Sequence, residues 1–219
     1  VQTPDTSFLL DCGAMVLASM KRDGHDPDAI DTVLLSHLHG DHFAGLPFLF
    51  IEYTYERPRR RPLRIVGPPN TEERVRALLR ANYKDLADKP SPFALEFLEV
   101  EPDSVHDLGP LRLHPFRVPH QETEISLGLT VVVEGRTILY SGDTGWTEEL
   151  VTRSRGADLF ICECCYFETR RPFHLDYPQI AANRARFGAR RMVLTHLGAE
   201  VHARRAEIEA WMDWMISDL

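Results

Sequence analysis

The stretch LLSHLHGDHF (34–43) sets three histidines and an aspartate within six positions, directly behind an apolar run. DTVLLSH (31–37) reads as a buried strand, so the cluster lies at a strand's end. His37 and His39 are two apart and leave an extended chain on the same side. Asp41 and His42 follow in a turn that re-aims them, with Gly40 and Gly45 permitting tight backbone geometry. Imidazole nitrogen and carboxylate oxygen both suit zinc, iron or manganese. Four such ligands exceed what one catalytic ion holds while keeping a position open for water. The spacing therefore predicts two ions side by side.

Two ions need further ligands, and the chain offers them in the same way three more times. FRVPH ends on His120, ILYSGDT carries Asp143, and MVLTH ends on His196. Each follows an apolar run. A site assembled from one edge of several strands is a common product of α/β folds.

The remaining chain fits such a fold. SFLLDCG (7–13), LRIVG (63–67), FALEFLEV (93–100), LRLHPFRV (111–118), ADLFICECC (157–165) and RMVLTH (191–196) read as strands. ISLGLTVVVEGRTILYSGD (125–143) reads as a hairpin turning at Glu134-Gly135. Helices are expected over 14–22, 42–53 despite Pro47, 70–83, 146–156, 176–188 and 204–219. The helix at 70–83 offers Asn70 or Thr71 as cap, with Glu73 placed for a capping box. This alternation predicts two mixed sheets flanked by helices, an αββα sandwich, in a single domain over 1–219. The chain opens at Val1 almost inside a strand, so N-terminal strand residues are expected upstream.

The bulk properties narrow the function. A net charge of −8 argues against a protein built to coat nucleic acid. No apolar run reaches the roughly 18 residues of a membrane span. The first residues have neither the basic nor the apolar region of a signal peptide. Cys162 and Cys164, two apart on one strand, are poorly placed to bridge. They read, with Cys165, as reduced thiols of a cytoplasmic protein, packed in the core.

The pattern HxHxDH at 37–42, followed by lone His120, Asp143 and His196 at strand ends, resembles the metallo-β-lactamase superfamily. The resemblance runs from LLDCG to LTHLG. It implies the αββα fold. It also implies that His37, His39 and His120 hold one metal, that Asp41, His42 and His196 hold the other, and that Asp143 bridges them with a hydroxide. Zinc is the first expectation for both ions, with manganese or iron as substitutes. Glu163 in FICECC and His174 in FHLDY match the ribonuclease Z-like branch. There a carboxylate orients an imidazole that protonates the leaving oxygen. Asp41, Glu163 and His174 are thus the expected catalytic residues, and a phosphodiester or other small anionic compound the expected substrate.

One departure bears on the substrate. Ribonuclease Z inserts a long arm that grips transfer RNA between the lone His and the bridging Asp. Here the hairpin 125–141 fills that interval, so a phosphodiesterase without the arm is expected, with other nucleic acid left open as a partner. The rivals are a thioester or lactone hydrolase on the same site, an iron oxidoreductase, and a non-catalytic metal-binding protein. The oxidoreductases of this superfamily usually carry glutamate where His39 stands and add a flavin domain.

The other conspicuous residues have plainer readings. His25, His106, His114 and His202 lack motif partners and read as ordinary surface histidines. The five arginines of ERPRRRPLR (56–64) read as a solvated loop. In the last helix Ile208, Trp211, Met212 and Met215 form an apolar stripe. Trp214, off that stripe, is the candidate for a homodimer contact.

Overall fold

All three residues of Thr32–Leu34 are buried, as an unbroken apolar run requires of a strand covered on both faces. This strand, β2, pairs in parallel with β1 (Phe8–Leu10) on one side and β3 (Leu63–Gly67) on the other. β4 (Leu95–Glu99) completes a four-stranded parallel sheet in chain order. Helices supply the crossovers that parallel strands need. Val16–Arg22 follows β1; Gly40–Phe43 and Leu46–Ile51 follow β2; Thr71–Asn82 and Lys84–Ala87 follow β3. Pro47 sits in the first turn of its helix, where a missing N–H costs nothing. The computed structural model describes residues 1–209 and 214–215. They divide into a unit of Val1–Glu101 and a second unit beginning at Pro102.

The core of the first unit joins Val33, Leu35, Leu63 and Ile65 to Leu46, Leu49, Phe50 and Tyr53. The helix Thr71–Asn82 is not capped from within. Asn70 adopts a φ of 74° and makes no side-chain cap. Glu99 from β4 instead accepts from the amides of Asn70 (3.0 Å) and Glu72 (3.1 Å). A carboxylate from the neighbouring strand brings a full negative charge to the helix N-terminus, which a capping box from Glu73 would not improve.

The arginine run is not all solvated. Arg59 is 1% exposed, and its five N–H donors all find acceptors. Nε donates to the Arg61 carbonyl (2.9 Å). Nη1 donates to the Asp28 carbonyl (2.9 Å) and carboxylate (3.1 Å). Nη2 donates to the carbonyls of Ile30 (2.8 Å) and Pro62 (2.7 Å). Its plane lies 4.9 Å from the centre of the Tyr53 ring. The guanidinium thus locks the Pro27–Ile30 turn and the 59–62 loop ahead of β3. Arg59→Met removes all five bonds and leaves the buried Ile30 carbonyl without this donor. The expected loss is ~3 kcal/mol of unfolding free energy, read from the midpoint of a urea titration.

The second unit carries a seven-stranded sheet. It holds β5 (His106–Asp107), β6 (Leu111–Arg117), β7 (Leu127–Val133), β8 (Arg136–Tyr140), β9 (Leu159–Glu163), β10 (Arg191–Thr195) and β11 (Trp214–Met215). β5 through β8 are antiparallel neighbours; β8 through β11 run parallel. The mixed character expected of both sheets thus resides in this one. The β7–β8 hairpin turns on Glu134 (φ 48°) and Gly135 (φ 72°), the left-handed pair that a two-residue turn demands. Helices Glu148–Ser154 and Tyr177–Asn183 start on Thr147 and Asp176, whose side chains accept from Glu149 N and Gln179 N.

Phe116, Leu139, Leu150, Phe160, Cys162, Cys164 and Leu194 pack the core of the second unit. All four cysteines are free thiols, and burial pushes Cys162 up. The single helix expected over 204–219 is helical at Arg205–Glu209, but Trp214–Met215 pairs in parallel with Val193 and Leu194. An apolar pair beside an open edge strand gains the ladder hydrogen bonds that a helix would deny it. Ile208 is buried. The rest of the expected stripe and the proposed dimer contact at Trp214 lie outside the described side chains. No helix among the described residues is long and apolar enough to cross a membrane.

Candidate metal centre

The first unit brings His37, His39, Asp41 and His42 together at the end of β2. The backbone turns there because His39 remains extended (ψ 149°) and caps the short helix Gly40–Phe43. The His42 amide reaches back to the His39 carbonyl at 3.0 Å. The His37 ring centre lies 4.7 Å from that of His39 and 4.1 Å from that of His42. Asp41 Oδ2 stands 3.6 Å from His42 Nε2. His37 and His42 are buried, whereas His39 and Asp41 are exposed.

The turn is clamped by the residues after β1. Cys12 N donates to the His42 carbonyl (2.7 Å) and Gly45 N to the Cys12 carbonyl (2.8 Å). A Cβ on Gly45 would meet the Gly13 carbonyl at 2.2 Å, and one on Gly13 would meet the Asp41 carbonyl at 2.3 Å. A Cβ on Gly40 would meet nothing within 4 Å. The close approach thus needs Gly13 and Gly45, and the expected role of Gly40 passes to Gly13.

Asp11 orients this half, and the sequence reading did not single it out. It sits at a φ of 61°, just past β1. Its Oδ1 accepts from Ser36 N (2.7 Å); Oδ2 accepts from Ser36 Oγ (2.7 Å) and from His42 Nδ1 (2.7 Å). Ser36 Oγ, its proton given to Asp11, accepts from His37 Nδ1 at 3.0 Å. One carboxylate therefore fixes both buried imidazoles as Nδ1–H tautomers, which leaves the lone pair on Nε2 for a metal. The visible signal was a lone acid after an apolar run, the same signal that marks Asp143.

The second unit brings His120, Asp143, Glu163 and His196 together near the ends of its strands, with His174 supplied by the loop after β9. Asp143, 3% exposed, is the hub. Its Oδ2 lies 3.3 Å from His196 Nε2, 3.8 Å from His120 Nε2 and 3.9 Å from His174 Nδ1. His120 Nδ1 donates to the Phe173 carbonyl (2.9 Å), so its lone pair is also on Nε2. Ligand atoms of His120, Asp143 and His174 lie within 4.8 Å of one another. The His174 ring stacks on His196 at 5.4 Å, with 5° between the planes.

Glu163 is fully buried at the end of β9. Oε1 accepts from Thr144 N (2.6 Å) and His174 Nδ1 (3.0 Å). Oε2 accepts from Cys165 N (3.3 Å) and Leu175 N (3.3 Å). Burial raises the Glu163 carboxyl, against the pull of its bond to His174. Four N–H donors keep it a carboxylate, with the shared proton on the imidazole. For His174, burial works against the charged form. The Glu163 hydrogen bond, Glu163's charge and that of Asp143 outweigh it, and the imidazole's pKa rises.

The first unit thus presents two buried, tautomer-fixed imidazoles, His37 and His42, and the second presents one, His120, beside Asp143 and the partly exposed His174 and His196. This donor set suits zinc and its neighbours. His25, His106, His114 and His202 are absent from these clusters. His106 is taken by Ser104 Oγ at 2.8 Å.

Comparison with known proteins identifies the family and the fold. A family model described as "Beta-lactamase superfamily domain" matches residues 6–197. An uncharacterised protein of Mycobacterium leprae (strain TN) is 34% identical over 204 residues, spanning 90% of this chain and 69% of its own length. A ribonuclease Z of Agathobacter rectalis is 28% identical over 243 residues, spanning 87% of this chain and 78% of its own. The solved metallo-β-lactamase fold protein YhfI of Bacillus subtilis superposes with a TM-score of 0.75 at 24% identity, covering 99% of this chain and 86% of that one. The fold is therefore the metallo-β-lactamase fold, mixed α/β with two sheets flanked by helices, and the chain belongs to the β-lactamase superfamily, whose members include metal-dependent hydrolases.

Proposed function

We propose that the protein is a phosphodiesterase that uses two divalent ions, zinc foremost, with manganese or iron as substitutes. Residues 1–219 serve as one catalytic domain. His37, His39 and His120 hold one ion. Asp41, His42 and His196 hold the other, and Asp143 is shared. When bound, such a pair acidifies a water and offsets the charge of phosphate oxygens.

The rest belongs to the protein. Asp11 and the Phe173 carbonyl keep the ligand histidines in the metal-binding tautomer. Glu163 accepts Nδ1–H of His174 and stabilises the imidazolium, so that Nε2–H is the proton delivered to the leaving alkoxide. The observation that carries the phosphodiester reading is this dyad, Nδ1 to Oε1 at 3.0 Å, beside Asp143. An alkoxide leaves poorly without a proton, whereas a thiolate needs little help. The similarity to a ribonuclease Z points the same way. The hairpin between His120 and Asp143 leaves no arm for transfer RNA, so the substrate is a smaller phosphodiester.

The test is turnover of bis(p-nitrophenyl) phosphate by protein loaded with zinc or manganese. Release of p-nitrophenolate is expected. Failure with both metals, alongside cleavage of S-lactoylglutathione, overturns the phosphodiester assignment in favour of a thioesterase.

A further inference from the structure

The segment between Glu163 and His174 has to be held if the dyad is to stay aligned. Its base is pinned: Cys164 N donates to the Thr195 carbonyl (2.9 Å) and Tyr166 N to the Leu175 carbonyl (3.3 Å). Its outer part, 167–173, joins no strand among the described residues. Beyond an isolated Arg171–His174 bridge and the close approach of the Pro172 carbonyl to Gly145, it needs a further hold, and it delivers two groups at its far end. Phe173 offers the carbonyl that orients His120, and His174 follows directly.

Glu200, in the first turn of the helix Ala199–Ala203, reaches across to that part. Its Oε2 accepts from three successive amides, Phe167 N (3.1 Å), Glu168 N (2.9 Å) and Thr169 N (3.0 Å). Its Oε1 accepts from the Thr169 hydroxyl. Successive N–H groups converging on one oxygen form an anion nest, here filled from within the chain. Arg204, the residue that ends the same helix, holds Glu168 Oε1 at 2.7 Å and covers the Phe167 ring at 4.8 Å.

We infer that Glu200 is a positioning residue: by gripping 167–169 it fixes the loop that orients His120 and presents His174. This rests on the roles given above to His120 and His174. Glu200 itself touches neither, and its place in the chain, four residues past His196, links the end of β10 to the loop after β9. The hydroxyl and amide of Thr169, with the Glu168 amide, hold the Glu200 carboxyl down to about 2. The grip is therefore complete above the ordinary glutamate range and is lost only as pH falls toward that value.

The experiment uses the full chain loaded with zinc and the variants Glu200→Ala, Glu200→Gln and Thr169→Val. Three quantities are read: amide exchange at 167–169, zinc affinity by competition with a chromophoric chelator, and kcat and KM for a phosphodiester. In Glu200→Ala, exchange at 167–169 is expected to rise about tenfold or more. Zinc affinity and kcat are expected to fall about 10- to 100-fold, as for other orienting groups around a metal, with KM little changed. Glu200→Gln and Thr169→Val, which keep part of the contact, should fall between it and the parent in the same order. Should Glu200→Ala fail to fold, these two decide. Faster exchange with unaltered zinc affinity and kcat would show a local staple only and overturn the inference. Unaltered exchange would overturn the contact itself. If the parent protein cleaves no phosphodiester, exchange and zinc affinity still decide Glu200, and the loss falls on the phosphodiester reading alone.

Discussion

Asp143→Asn is expected to lower kcat/KM by about 10³-fold or more, equivalent to about 4 kcal/mol of transition-state stabilisation, and to leave less than two zinc ions bound per chain. Its Oδ2 lies 3.3–3.9 Å from nitrogens of three imidazoles, and the residue is almost fully buried. No other carboxylate among the described residues of its unit has that position. Asparagine keeps the size and one carbonyl oxygen but removes the charge, and its amide turns donors toward a place where cations are meant to sit. The substitution thus acts on metal binding, not on packing. Zinc content by atomic emission after gel filtration, with the thermal midpoint as control, separates the two. Loss of metal and activity with a near-parental midpoint in chelator is the expected pattern. Two zinc ions retained with full turnover would remove Asp143 from the centre, and with it the shared-ligand arrangement.

The candidate ligands were legible because several of them obey one rule: a histidine or aspartate within a few residues of an apolar run's end. A strand ends there, and a strand end is where a side chain can face a shared rim. His37, His120, Asp143 and His196 all follow it. Asp11 follows it too, in LLDCG, but a single acid after a strand reads as a turn residue until Ser36 and His42 are seen on its oxygens. Arg59 was hidden in the opposite way. It stands among Arg57, Arg60, Arg61 and Arg64, and nothing in composition tells which guanidinium will meet carbonyls of a turn some thirty residues upstream. Glu200 was equally silent, since an acid in a first helical turn ordinarily caps its own helix. The hairpin at Glu134-Gly135 was legible because its turn needs left-handed backbone, a local demand. The end of the chain was not, because Trp214–Met215 is decided by the open edge of β10, a partner far away in sequence. Local chemistry could be read, whereas pairings between distant segments needed the structure.

His174→Ala is expected to discriminate between substrates in a way that a damaged fold would not. A phosphodiester with an alkyl leaving group needs a proton on the departing oxygen, so its kcat should fall about 10²- to 10⁴-fold, the usual contribution of a positioned acid. Bis(p-nitrophenyl) phosphate, whose phenolate leaves unaided, should lose far less. A loss of equal size for both substrates would place His174 in binding or structure and remove the acid role. Glu163→Gln probes the same step from behind. The glutamine oxygen can serve two of the four N–H donors around Glu163. Its NH₂ must then face the others, at a cost of about 1–3 kcal/mol for the buried donors left unmet. The unfolding midpoint should therefore drop in Glu163→Gln, and also in His174→Ala, which leaves the fully buried Glu163 carboxylate without one donor and its counter-charge. Both variants should share the leaving-group signature, since each removes the same charged imidazolium. Their effects in the double variant should not add, because a dyad that works as one unit is lost once.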